Sequence, residues 1–245
     1  MNKMNLEIKK VSLSIEGRVI VKNVSVTVRP GEIVGLMGPN GAGKTTTFNL
    51  AVGNLKADKG DIFMNGKSIK NLSLPIRAKL GLGYLTQEAS IFRNLTVKDN
   101  IDLALQNSSL SKVAIRNRRE SIINEFNLNK FVDNYGYQLS GGERRRCEIA
   151  RALSVGRKGP KYLLLDEPFA GIDPLAVNDL KKLIIKLSRN GVGILITDHN
   201  VRETLLITNK SYVLSEGKIL AYGSSNELAN NPIVKKFYLG DDFQL

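Results

Sequence analysis

The chain opens on two stretches in which apolar and polar residues alternate: Leu6, Ile8, then Val11, Leu13 and Ile15, followed by Val24, Val26 and Val28. A period of two predicts half-exposed antiparallel strands. After the turn-forming pair Pro30-Gly31 the pattern changes, because Ile33-Val34-Gly35-Leu36-Met37 is apolar without interruption, and similar runs recur at Tyr162 to Leu165 and Ile194 to Thr197. Uninterrupted runs suit strands buried on both faces of a parallel sheet, so these three are expected to be central. Helical periodicity falls between them, opening at Gly43, running from Pro174 to Arg189 and resuming after Asn200. Strand and helix alternate, which predicts an α/β fold with a mainly parallel central sheet and an N-terminal antiparallel portion. Asn65-Gly66 and Glu216-Gly217, each between short apolar runs, read as hairpin turns.

The stretch from Glu88 to Gly159 has a different texture. Thr96-Val97-Lys98-Asp99 signals a helix start and strand-like runs are few, which predicts a mainly helical lobe over 88–159 inserted into a core formed by 1–87 and 160–245. Ser224-Ser225-Asn226-Glu227 is a capping box that opens a short helix near the end.

Composition narrows the class. The 245 residues are 42% hydrophobic and 24% charged, ordinary values for a folded globular chain. Met1-Asn2-Lys3-Met4-Asn5-Leu6-Glu7 has no apolar leader core, and no run of roughly eighteen apolar residues occurs, so neither secretion nor a membrane span is expected. The single cysteine, Cys147, precludes an internal disulfide and a cysteine-rich zinc site; a small buried apolar role is expected for it. A net charge of +13 attracts polyanions in general. Its local clusters, Arg116-Asn117-Arg118-Arg119, Arg144-Arg145-Arg146 and Lys181-Lys182, read mainly as solvated helix faces.

Chemistry enters at Gly38-Pro39-Asn40-Gly41-Ala42-Gly43-Lys44-Thr45, which matches the phosphate-loop pattern between a buried strand and a helix. Triphosphate oxygens are met there by converging backbone N–H groups at the positive end of a helix, and glycine lets the backbone come close. Lys44 supplies a point charge, Thr45 a hydroxyl for Mg²⁺, and Thr46 beside it counts with the nucleotide contacts. ATP and Mg²⁺ are the expected ligands. The apolar run ending in Leu165-Asp166-Glu167 offers Asp166 to orient the metal and Glu167 to polarise water. Ser140, Gly141 and Gly142 before a helical pattern form a second candidate anion site. His199 follows the strand Ile194 to Thr197, at an end where α/β sheets bind ligands.

In order, the phosphate loop, Gln87, Leu139-Ser140-Gly141-Gly142-Glu143, Leu165-Asp166-Glu167-Pro168, Ala170-Gly171-Ile172-Asp173 and His199 resemble the ATP-binding cassette family over the whole chain. The resemblance implies a P-loop NTPase core. It makes Gln87 a sensor of Mg²⁺ and water that links the lobe, Asp173 part of a loop crossing a dimer interface, and His199 a γ-phosphate switch. It also implies a homodimer in which the signature of one copy faces the phosphate loop of the other, without specific nucleic acid. Two transmembrane permease subunits would dock near Glu88 to Leu95, so contact with the membrane would be indirect, from the cytoplasmic face of the inner membrane. Within the family, Gln87 to Arg93, Gly142 to Arg146, Asp198 to Thr204 and Tyr238 to Phe243 are similar to ATPases of lipopolysaccharide export. ATPases of branched-chain amino-acid import look alike, and a soluble cassette acting on nucleic acid is the rival class. The family's aromatic adenine platform is replaced here by Ile15, so apolar contact alone, or another residue, is expected to hold adenine.

Overall fold

The computed structural model describes residues 4–108, 110–240 and 242–245; Met1, Asn2, Lys3 and Asp241, which belong to the N-terminal and tail segments read above, lie outside them, as does Ser109. The described chain runs β1 (Leu6–Ile15), β2 (Arg18–Val28), β3 (Ile33–Met37), α1 (Lys44–Val52), β4 (Lys59–Met64), β5 (Lys67–Ser68), α2 (Leu74–Leu80) and β6 (Leu82–Leu85). It continues with α3 (Val97–Leu105), α4 (Lys112–Glu125), α5 (Gly141–Leu153), β7 (Tyr162–Asp166), α6 (Pro174–Arg189), β8 (Gly193–Thr197) and α7 (Val201–Ile207). The last elements are β9 (Lys210–Ser215), β10 (Lys218–Gly223), α8 (Ser225–Ala229) and α9 (Pro232–Val234).

Two sheets result. One is antiparallel, in the order β2-β1-β4-β5; the other, β10-β9-β3-β8-β7-β6, is parallel except for its edge strand β10. The three uninterrupted apolar runs are adjacent in it as β3, β8 and β7, and every residue of each is buried. Their two faces feed different cores. Leu163, Leu165, Ile194 and Ile196 pack with residues of α3 to α6, whereas Leu164 and Leu195 pack with α1 and the antiparallel sheet. A strand with apolar layers on both sides cannot afford a polar position on either, which is why no alternation shows in its sequence.

The antiparallel strands keep their alternation, with a change of phase in each of β1 and β2; in β2 it falls between Val21 and Val24, where Asn23 has φ 54°. Leu6 and Ile8 point inward at even positions and Val11 and Leu13 at odd ones, because the register shifts between Ile8 and Val11, where Lys10 has φ 49°. Ile15, in line with the alternation, is nonetheless exposed at the end of the strand. Asn65-Gly66 and Glu216-Gly217 are hairpin turns with both φ positive, as expected; Glu16-Gly17 is a third with the same two-residue signature.

Between β6 and β7 the described residues contain α3, α4, α5 and short 3₁₀ turns, and no strand. Helix α5 begins at Gly141, ahead of the periodic pattern, because Ser140 and Glu143 form a capping box. Cys147 on that helix is buried, and burial pushes its thiol up to about 12. Arg77 is fully buried and donates to the carbonyls of Leu50 and Ala51 in α1 and of Lys70 and Leu72. A cation there meets the negative end of α1 and anchors the helix whose other end carries the phosphate loop.

Candidate active site

Strands β3, β6, β7 and β8 are parallel, so their carboxyl ends open on one edge of the sheet, and the loops leaving them carry most of the candidate residues. After β3, Gly38, Gly41 and Gly43 have φ of 144°, 78° and 99°. A Cβ on Gly38 would fall 2.2 Å from the Leu214 carbonyl oxygen and one on Gly43 2.8 Å from that of Ile20, while Gly41 has open space. The outer two glycines are therefore demanded by packing as well as by φ, and the middle one by φ alone. Pro39, Asn40 and Gly41 are exposed, and Ala42 and Gly43 are buried. Lys44 is buried and its Nζ donates to the carbonyls of Gly38 (2.7 Å) and Pro39 (3.0 Å). Burial holds its pKa below the ordinary lysine value, against the pull of Glu167 and Asp166. Thr45 is exposed and Thr46 half-buried at the start of α1.

Asp166 ends β7 without any exposure, and neither of its carboxylate oxygens has a hydrogen-bond partner among the described residues. Burial first, then the neighbouring Glu167, pushes its pKa up to about 6, although Lys44 and Arg145 pull the other way. Two orphaned, buried carboxylate oxygens are hard-oxygen donors of the kind that fits Mg²⁺.

Glu167 has a left-handed φ of 52°, costly for a residue with a side chain by about 1–2 kcal/mol. Its backbone is tied on both sides: its N–H donates to Thr197 O (2.8 Å), and its carbonyl accepts from Arg145 (2.6 Å). The side chain thereby reaches two other candidates. His199 Nε2 lies 2.7 Å from one carboxylate oxygen, and Gln87 Nε2 donates to the other at 3.1 Å. Three residues from the ends of β6, β7 and β8, separated by 80 and 32 positions in sequence, meet at one carboxylate.

Ser140, Gly141 and Gly142 stand apart from this group. Gly141 packs on the Gly171 carbonyl and Gly142 on Ala176, and the Ser140 hydroxyl caps α5, so the signature leans on the 171–176 segment. Among the described residues no hydrogen bond joins these three to the phosphate loop. Asp173 caps α6 by accepting from the Ala176 N–H (2.9 Å).

Two buried groups absent from the sequence-derived set organise the site. Arg145 donates to the carbonyls of Thr86, Asp166, Glu167 and Pro168 and pairs with Glu148 at 3.0 Å. Glu148 in turn accepts the N–H groups of Ser90 (2.8 Å) and Ile91 (3.2 Å), so α5, the end of β7 and the segment after Gln87 form one network. Its only sequence trace was the (i, i+3) spacing of opposite charges within a run that reads as a solvated face. Asp198 accepts the N–H groups of Phe169 and Asn200, each at 2.8 Å, and thereby fixes the turn that presents His199; burial is the main reason its pKa lies above the usual aspartate value.

Residues 21–170 match the family described as ABC transporter. The chain is 49% identical over 240 residues to the lipopolysaccharide export system ATP-binding protein LptB of Acidithiobacillus ferridurans, covering 98% of both chains. It is 49% identical over 241 residues to the protein of that name in Escherichia coli K12, covering 98% of this chain and 99% of the relative. A solved structure of the ADP conformation of the ATP-binding cassette MJ1267 of an ABC transporter superposes with a TM-score of 0.85 at 26% identity, covering 96% of this chain and 98% of that one. A nucleotide-free cassette superposes equally well, with a TM-score of 0.85 at 27% identity and coverage of 96% and 99%. With this phosphate loop, this cluster on Glu167 and these likenesses, the chain belongs to the ABC transporter family, as one of its ATPase cassettes.

Proposed function

We propose that the chain is the ATP-hydrolysing motor subunit of a lipopolysaccharide exporter and works as a homodimer around two ATP molecules. The observation that carries the chemistry is the meeting of Gln87 and His199 on the Glu167 carboxylate beside the phosphate loop. Gly38 to Gly43 receive the phosphates on backbone N–H groups, Lys44 sits at the β/γ oxygens, and Thr46 adds a contact. Thr45, Asp166 and Gln87 would hold Mg²⁺, which when bound supplies neutralisation of phosphate charge. Glu167 polarises a water whose oxygen attacks the γ-phosphorus as the bond to the bridging oxygen breaks. His199 and Gln87, on separate oxygens of that carboxylate, hold it in line for the water's proton.

The pocket of one copy is half a site. Gly141 and Gly142 lie against residues 171–176 and make no hydrogen bond to the phosphate loop of their own chain among the described residues, which is consistent with the signature serving the loop of a second copy across an interface that includes Asp173. In this reading residues 88–159 act as a helical lobe, and Glu88 to Leu95 form the docking groove for two transmembrane permease subunits. Within that groove Ile91 belongs to the core, whereas Phe92 is 45% exposed with the Arg151 guanidinium over its ring at 4.5 Å. Phe92 is thus the apolar group on offer to a partner. The Arg145–Glu148 network couples the groove to the carboxylates, because Glu148 holds Ser90 and Ile91 while Arg145 holds Asp166 and Glu167.

Among the described residues no helix is long and apolar enough to cross a membrane, so translocation falls to partner chains. Identity of 49% along 98% of the chain to relatives named for lipopolysaccharide export supports that cargo over amino-acid import or action on nucleic acid, and supports a working position at the cytoplasmic face of the inner membrane. Affinity purification from detergent-solubilised membranes tests this: two membrane proteins are expected to copurify and to bring lipopolysaccharide-stimulated ATP turnover. Recovery without membrane partners, with salt-sensitive nucleic acid stimulating turnover instead, would reverse it.

A further inference from the structure

At the opposite edge of the parallel sheet, where β6 and β7 begin, lies a cavity of about 670 Å³. Tyr162, the Gly81 turn, α4, α5 and the end of α6 all line it. Its size is that of a small-molecule site. It uses none of the residues of the nucleotide site.

Charge is its unusual property. Lys79, Arg118, Arg157, Lys158 and Lys161 all line it, and among the described residues none of them makes an ion pair. The one acid on the wall, Glu125, is engaged by Lys186 at 3.1 Å. Each basic cluster read from the sequence holds at least one cation that is partnered, Arg116 with Glu120, Arg119 with Asp102, Arg145 with Glu148 and Lys181 with Glu203; what sets the cavity apart is the gathering of five cations around one concavity. One of the cavity cations is also held in place: the Arg118 guanidinium donates to the Leu153 carbonyl (3.0 Å) and lies against Gly159. Like charges gathered around one concavity repel, and a multiply charged anion relieves that repulsion.

The remaining wall is apolar. Ile122, Leu153 and Leu187 are buried at its base, while Leu80 and Met4 stand 44% and 64% exposed at its rim. Free phosphate would leave that surface wet, and a nucleic-acid strand would follow an open stripe instead of entering a concavity. A phosphomonoester brings nearly two negative charges and three acceptor oxygens, matched to several cations at once.

We infer that this cavity is a second ligand site, for a phosphorylated amphiphile whose head meets Lys79, Arg118, Arg157, Lys158 and Lys161 and whose apolar part covers Leu80, Ile122, Leu153 and Leu187. Such a ligand could be a soluble phosphorylated metabolite or a lipid bearing a phosphate headgroup. The inference is independent of the motor reading, since it rests on the other end of the strands.

Isothermal titration of the full chain, with the phosphate loop kept filled by ADP and Mg²⁺, tests it with octyl phosphate below its micelle concentration. Inorganic phosphate and octyl glucoside serve as head-only and tail-only probes. One octyl phosphate per chain is expected, bound about tenfold or more tighter than either control, since charged hydrogen bonds to the head are at stake. The double variant Arg157→Glu with Lys158→Glu, both exposed positions, is expected to lose about tenfold or more in affinity with its thermal midpoint unchanged. Equal affinity for octyl phosphate and octyl glucoside, or undiminished affinity in the double variant, would overturn the site. Flotation with vesicles containing phosphatidic acid then separates the sources. Capture that the double variant abolishes assigns the site to a lipid, and saturable octyl phosphate binding without capture assigns it to a soluble ligand.

Discussion

The two ends of the parallel sheet differ in how their charges are satisfied. At the carboxyl ends Asp166, Glu167 and Asp198 crowd together with Lys44 and Arg145, both cations are buried, and each donates to carbonyls or a carboxylate. At the amino ends five cations line an open cavity without an ion pair among the described residues. Burial is the reason for the difference. A charge removed from water is bonded within the protein or pushed toward its neutral form, as Asp166 is with neither oxygen bonded, whereas a charge on a cavity wall is satisfied by water until an anion displaces it. The buried end is thus committed to one arrangement, and its groups should respond strongly to single substitutions.

The largest effect is expected at Glu167. Glu167→Gln keeps the shape and removes the charge, so ATP turnover should fall by about 10²–10⁴-fold while ATP is retained and a dimer accumulates in gel filtration. Turnover at the wild-type level in that variant would remove Glu167 from its assigned role. Arg145→Ala comes next, because it strands Glu148 and four carbonyls in the interior. A loss of about 3–5 kcal/mol in urea unfolding is expected, and a loss below about 1 kcal/mol would place Arg145 with the solvated cations of the other end.

Asp166→Asn should act in the opposite sense on stability. The folded-state pKa of Asp166 is raised from 3.8 to about 6, so between those values the folded chain binds more protons than the unfolded chain and stability falls as pH rises. Above pH 6 the penalty is complete, at about 2–3 kcal/mol by the size of the shift. The Asn variant, melted without nucleotide and with a chelator present, should gain about 4–8 °C at pH 8 and nothing near pH 4, at the expense of turnover. A gain that does not depend on pH would mean that the carboxylate charge is not the cause.

Much of this arrangement was legible in advance. The phosphate loop, the three central strands and α6 stand where their patterns predicted, because each combines a local steric demand with an unbroken periodicity. The capping box at Ser224 and Glu227 likewise forms as written. Arg145 was not legible as a buried residue, since a run of three arginines on a polar helix looks solvated until the ends of β6 and β7 are laid against it. Helix α4, whose exposed face is rich in charge, carried no clear apolar stripe, and only Ile122 and Ile123 are buried on it. Ile15, at the position of the family's adenine platform, is 42% exposed at the end of β1.

The sequence by itself determined the central strands, α6, the phosphate loop and the identity of the chemical groups, because periodicity and backbone sterics act over a few residues. Only the tertiary structure decided which groups share a site. Gln87, Glu167 and His199 lie far apart along the chain and meet because three parallel strands bring their carboxyl ends to one edge. Lys161, directly before β7, falls at the other edge by the same strand direction, and the packing of α2 and α4 brings Lys79 and Arg118 to it.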